Sequence, residues 1–113
     1  LRALGLNVDF INDADSYLIE EEITAGRPVL VGWLHKGDLL QGHPPMGTGH
    51  WSVIVGFNRD EWIMHDPMGK PDMEHGGHDS RKSGEYVRIS RPAFHQRWQV
   101  EGPNSGWAIV VNN

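Results

Sequence analysis

The stretch Gly47-Thr48-Gly49-His50-Trp51-Ser52-Val53-Ile54-Val55-Gly56-Phe57, with Trp62-Ile63-Met64-His65-Asp66-Pro67 after it, decides the fold. Each half is a short run of β-branched and aromatic residues, and Asn58-Arg59-Asp60-Glu61 between them reads as a turn. The two runs form a predicted antiparallel hairpin. A hairpin places the start of its first strand beside the end of its second. His50 starts one strand and Asp66 ends the other, and opposed side chains on paired strands sit within about 5.5 Å. An imidazole titrates near neutrality and suits a general base. A carboxylate accepts its other ring N–H, holds the tautomer and stabilises the imidazolium. Gly47 and Gly49 give a substrate backbone room to approach His50. Asp66-Pro67 stops the strand sharply and fixes where the carboxylate points. The plain alternative is a strand-end histidine and a turn-forming aspartate.

Working upstream, Val29-Leu30-Val31-Gly32-Trp33-Leu34 follows a proline and suits a strand buried on both faces. Asp13 to Ser16 supplies capping groups for a helix over about 15–25, with Ala25-Gly26 as the stop and Pro28 beyond. Leu1 to Val8 reads as a helix end, a glycine stop and an extended segment. Lys36 to Thr48 reads as a loop. Downstream, Pro67 to Ser83 is expected to be a long exposed loop, Glu85 to Ile89 a strand, Arg91 to Trp98 a short helix with Pro92 in its first turn, and Trp107 to Val111 a last strand. The order gives an α+β domain: a mostly antiparallel sheet of about five strands with one or two short helices.

The chain has 113 residues, which is one small domain, and 38% of them are hydrophobic, enough for a modest core. A net charge of −5 gives no basic footprint for nucleic acid. No run approaches the roughly 20 apolar residues of a membrane span. There is no cysteine, which excludes a disulfide framework, a thiolate metal site and a thiol nucleophile within these residues.

Three blocks carry a family resemblance: Ile23 to Val31 with its Gly26-Arg27-Pro28-Val29, Gly49 to Phe57, and Ile63 to Gly69 with its Asp66-Pro67. Together, over residues 15–70, they resemble the double-glycine leader (bacteriocin-processing) peptidases and their relatives, which are papain-like cysteine peptidases. The resemblance implies the sheet half of a papain-like fold, His50 as catalytic base, Asp66 as orienting acid, and peptide or peptidoglycan-type amide substrates. Gly49 and Trp51 flank His50 and are the substrate-side candidates, although strand alternation turns Trp51 to the opposite face. The family's cysteine and oxyanion-hole glutamine lie upstream on a helix, and nothing here matches them. The expectation is therefore an N-terminally incomplete single domain, residues 1–113, whose nucleophile segment precedes Leu1 and which is inactive as given. The alternative is a non-catalytic peptide- or substrate-binding module using the same cleft. The strands left bare by a missing half favour a homodimer. Ser52 shares the face of His50, but none of the six serines sits where activation is usual.

Seven histidines invite a metal reading. Asp72, His75 and His78 cluster in a glycine-rich loop, and imidazole with carboxylate suits zinc. Flexible glycines work against such a site, so no metal and no cofactor are assigned. His65 is expected to face away from Asp66, and His35, His43 and His95 show no partners. Trp33, Trp62 and Trp107 are expected in the core, and Arg88, Arg91 and Arg97 on the surface.

Overall fold

The computed structural model describes residues 7–112. The elements run β1 (Asn7–Ala14), α1 (Ser16–Thr24), β2 (Val29–Trp33), β3 (His50–Phe57), β4 (Glu61–His65), β5 (Lys70–Pro71), β6 (His78–Asp79), β7 (Val87–Ser90), α2 (Arg91–Trp98) and β8 (Gly106–Asn112). Six strands form an antiparallel sheet in the order β1-β8-β2-β3-β4-β7, and β5 pairs with β6 as a small second sheet. The expected α+β class and the two helices are present. The main sheet has six strands rather than about five, because Asn7–Ala14 is a full strand paired with β8. The reading of Leu1 to Gly5 lies outside the described residues.

Local chemistry sets the ends of both helices. The Asp15 carboxylate accepts the Leu18 N–H and starts α1, and the Ser90 hydroxyl accepts the Ala93 N–H with Pro92 in the first turn of α2. Both helices pack on one face of the sheet. Ile19 of α1 and Phe94 and Trp98 of α2 join Val29, Val31, Trp33, Ile54, Trp62, Met64 and Ala108 in one buried core. In β2 the residues Val29, Val31 and Trp33 point into that core while Leu30 points away.

The opposite face is open. Phe10 is 60% exposed and Trp107 47% exposed, so Trp107 is not a core residue as its strand position suggested. With Trp51 these rings form a cluster, with centroids 6.1 and 6.3 Å from that of Phe10. Gly32 is required beneath them: a Cβ there would meet the Trp51 ring at 2.9 Å. Trp98 is buried, and its indole N–H donates to the Trp107 carbonyl at 2.9 Å.

Two further expectations are corrected. The segment from Pro67 to Ser83 is not simply an exposed loop: it holds β5 and β6, buries Pro71 and Met73, and folds back against the sheet. Arg97 is not a surface charge. It is fully buried at the end of α2 and its guanidinium donates to the carbonyls of Met73 (2.8 Å), Lys36 (2.7 Å) and Gly37 (2.7 Å), and more weakly to Leu34 and Glu74. One side chain thus replaces the water that two loops would otherwise need. Burial pushes its pKa down, while Asp72 and Asp38 pull the other way. Arg91 is also mostly covered: it lies over the Trp62 ring at 4.0 Å and pairs with Glu20 at 2.6 Å. Arg88 is exposed as expected, near Glu61.

Candidate functional site

The hairpin of β3 and β4 carries the site. Its register pairs Val53 with His65 and Ile54 with Met64. Continued one step, that register sets Asp66 beside Ser52, with His50 diagonal on the same face. Strand alternation therefore sends His50, Ser52 and Asp66 to the core side and His65 and Trp51 to the other. The site lies at the end of interior strands, not along an edge strand of the sheet.

His50 and Asp66 meet. Nε2 of His50 lies 2.8 Å from Oδ2 and 3.0 Å from Oδ1 of Asp66. The Asp66 carboxylate is fully buried and the His50 ring is 10% exposed. Three more donors reach the same carboxylate: the Ser52 hydroxyl at 2.7 Å, the Met68 N–H at 2.9 Å and His78 Nε2 at 2.9 Å. Burial alone would raise the carboxyl pKa. The hydrogen bonds from His50, Ser52, Met68 and His78 outweigh it and hold Asp66 well below the ordinary carboxylate range. An ionised carboxylate only accepts, so both imidazoles carry their proton on Nε2. That leaves Nδ1 of His50 as the nitrogen able to take a proton from a reacting group.

Ser52 has a different task from nucleophile. Its hydroxyl donates to Asp66 and accepts the Trp33 indole N–H at 3.0 Å, in a fully buried position. Its proton is aimed at Asp66, not at His50. Trp33 also packs edge-on against His50, with ring centroids 5.5 Å apart. Behind Asp66 the backbone is clamped by its N–H donating to the Gly84 carbonyl at 2.8 Å. A Cβ on Gly84 would collide with the Asp66 carbonyl, so this approach needs glycine.

The loop histidines separate. His75 pairs with Asp72 at 3.1 Å on the surface. His78 turns inward, its side chain only 3% exposed, and joins Asp66 instead. The proposed Asp72, His75 and His78 cluster is thus split between surface and core. His35, which showed no partner in the sequence, stacks on His50 with ring centroids 4.9 Å apart and lies 5.5 Å from His78. Burial lowers its pKa, and His50, His78 and Lys36 add to that. Nδ1 of His35 and Nδ1 of His78 are buried without a partner among the described residues. Sequence reasoning missed His35 and this role of His78 because neither lies on the hairpin. The signal available was only the proximity of the two loops, which Arg97 creates. His95 sits elsewhere and accepts the Trp62 indole N–H at 3.1 Å.

Of the substrate-side candidates, Gly49 lines a pocket of about 220 Å³ with Trp33, Arg97, Trp98 and Trp107. Trp51 does not face His50; its ring lies over Gly32 on the open face. No protein-family model, no curated protein and no solved structure matches this chain.

Proposed function

We propose that this chain supplies the base and orienting acid of a papain-like cysteine peptidase acting on peptide or peptidoglycan-type amide bonds. The observation that carries the reading is the contact of His50 Nε2 with the buried, ionised Asp66. A cysteine nucleophile, which the chain does not contain, would lie against Nδ1 of His50. His50 would take its proton and return it to the leaving amine, while Asp66 holds the ring. The test uses the full-length protein encoded by the gene. A cysteine there should react with iodoacetamide at neutral pH through its thiolate, and His50→Ala should slow that reaction at least about tenfold. A full-length protein without a cysteine, or an alkylation rate indifferent to His50, overturns the reading.

A second reading has its own support. The absence of cysteine and the 220 Å³ pocket walled by Trp33, Trp98 and Trp107 suit a peptide-binding module without chemistry. On that reading the chain alone binds extended peptides, and Trp98→Ala or Gly49→Leu weakens binding while His50→Ala does not.

A further inference from the structure

A base needs one orienter, and an orienter needs one base. The second imidazole on Asp66 has no part in that arrangement. His78 reaches Oδ2 at 2.9 Å from the far side of a loop, and His50 reaches the same oxygen at 2.8 Å. One ligand atom from each of His50, Asp66 and His78 lies within 4.8 Å of the others. We propose that His50, Asp66 and His78 form a binding site for a divalent transition metal of the zinc class.

The chemistry of the donor set supports this. Two imidazoles and one carboxylate are ligands zinc accepts, and they leave a fourth position for solvent. Ligands at about 2.0–2.1 Å around a tetrahedral ion sit roughly 3.3 Å from one another. The three atoms are therefore a little too close on the hydrogen-bonded sides, and a few tenths of an ångström of opening seats the ion. Each imidazole then moves its proton from Nε2 to Nδ1 and binds the metal as a neutral ring, so no net proton is lost. The Asp66 carboxylate is already ionised. Ser52, held by Trp33, donates to the ligating carboxylate and fixes it from behind.

The alternative is that His78 merely fastens its loop. Imidazole is a poor choice for that. Its second nitrogen, Nδ1, is buried without a partner among the described residues. An unpaired buried nitrogen is a cost that a serine fastener would avoid, so the choice of imidazole points to the ligating ability of Nε2. The ion would occupy the nitrogen and carboxylate that hold His50 as a base. The inference does not rest on the peptidase reading, because metal binding is measured on the chain as it stands.

Zinc chloride titrated into the metal-free chain at pH 7.5 should bind as a single equivalent, with a dissociation constant on the order of 1 μM or tighter. His78→Ala should weaken binding at least about tenfold, and His75→Ala, a change at the exposed histidine, should leave it unchanged. Imidazole nitrogen–proton NMR on the wild type removes the question of whether the variant folds. The ring signals of His50 and His78 should shift with zinc, and those of His75 should not. No binding up to about 1 mM zinc, unchanged affinity in a folded His78→Ala, or shifts centred on His75 would each overturn the site.

Discussion

At the scale of single residues, Asp66 decides most. Its pKa in the folded chain lies far below the value near 3.9 of an unfolded aspartate. The stability it contributes is therefore complete above about pH 4 and is lost as pH falls toward the folded value. His35 and His95 act in a higher window. Burial lowers both, and Arg91 adds to the effect on His95. The unfolded chain binds protons first, near pH 6.5, so stability falls as pH drops through that value. The expected urea midpoint thus declines in two steps, one below about pH 6.5 and one below about pH 4. Asp66→Asn should remove most of the lower step, and His95→Gln should reduce the upper one. A profile with a single step unchanged by Asp66→Asn would contradict the network. Ser52→Ala should cost about 1–3 kcal/mol in the same titration, because it strips a donor from a buried carboxylate and an acceptor from Trp33. The His50 and Asp66 pair was legible in the sequence because two apolar runs and a four-residue turn fix a hairpin, and a hairpin fixes which ends meet. Ser52 was legible only as sharing a face. Its partner was not, because the hydroxyl's direction depends on Trp33, which comes from β2, a strand outside the hairpin.

At the scale of elements, the site depends on loops that the hairpin does not contain. Gly84 lets the segment before β7 run against Asp66. Gly84→Ala should destabilise by about 1–3 kcal/mol and disturb the His50–Asp66 contact, which the His50 ring signals report. Arg97 is the larger support. It ties the Leu34–Gly37 loop, which carries His35, to Met73 and Glu74 in the segment that leads to His78. Arg97→Ala leaves several carbonyls unpaired and should cost about 3 kcal/mol or more in denaturant unfolding. Arg97→Lys should recover little, since an ammonium cannot fan out to carbonyls on both loops. The Pro67 to Ser83 segment was misread as an exposed loop because Gly, Pro, Asp and His are frequent in it. Polar composition marks a segment that makes no core of its own. It does not reveal that a buried arginine will satisfy that segment's backbone from the end of a distant helix. Helices α1 and α2 were readable close to their limits because Asp15, Ser90 and Pro92 are local signals.

At the scale of the molecule, the sheet has one covered face and one open face, and its order is not the order of the chain. β1 and β7 are the lateral strands, and β2, β3, β4 and β8 are paired on both sides. Amide exchange should therefore be slowest in β2, β3 and β8 and faster in β1 and β7. Rapid exchange throughout β8 would contradict its place in the interior of the sheet. The position of Trp107 on the open face shows why an alternating strand does not say which of its two apolar sides is inward: β8 has Trp107 and Ile109 on one side and Ala108 and Val110 on the other, and the smaller pair is buried.

The placement of β8 between β1 and β2 bears on biosynthesis. During translation the hairpin holding His50 and Asp66 can close as soon as it leaves the ribosome, since its contacts are near in sequence. The neighbours of that hairpin arrive much later. Until residues 106–112 emerge, β1 has no partner strand and β2 shows a bare hydrogen-bonding edge made of Val29 to Trp33. Arg97, which gathers the loops around the histidines, is made almost as late. The nascent chain therefore passes through a long interval with the hairpin of His50 and Asp66 formed and its apolar edge uncovered, the interval in which a chaperone or a second nascent chain would find a strand to pair with.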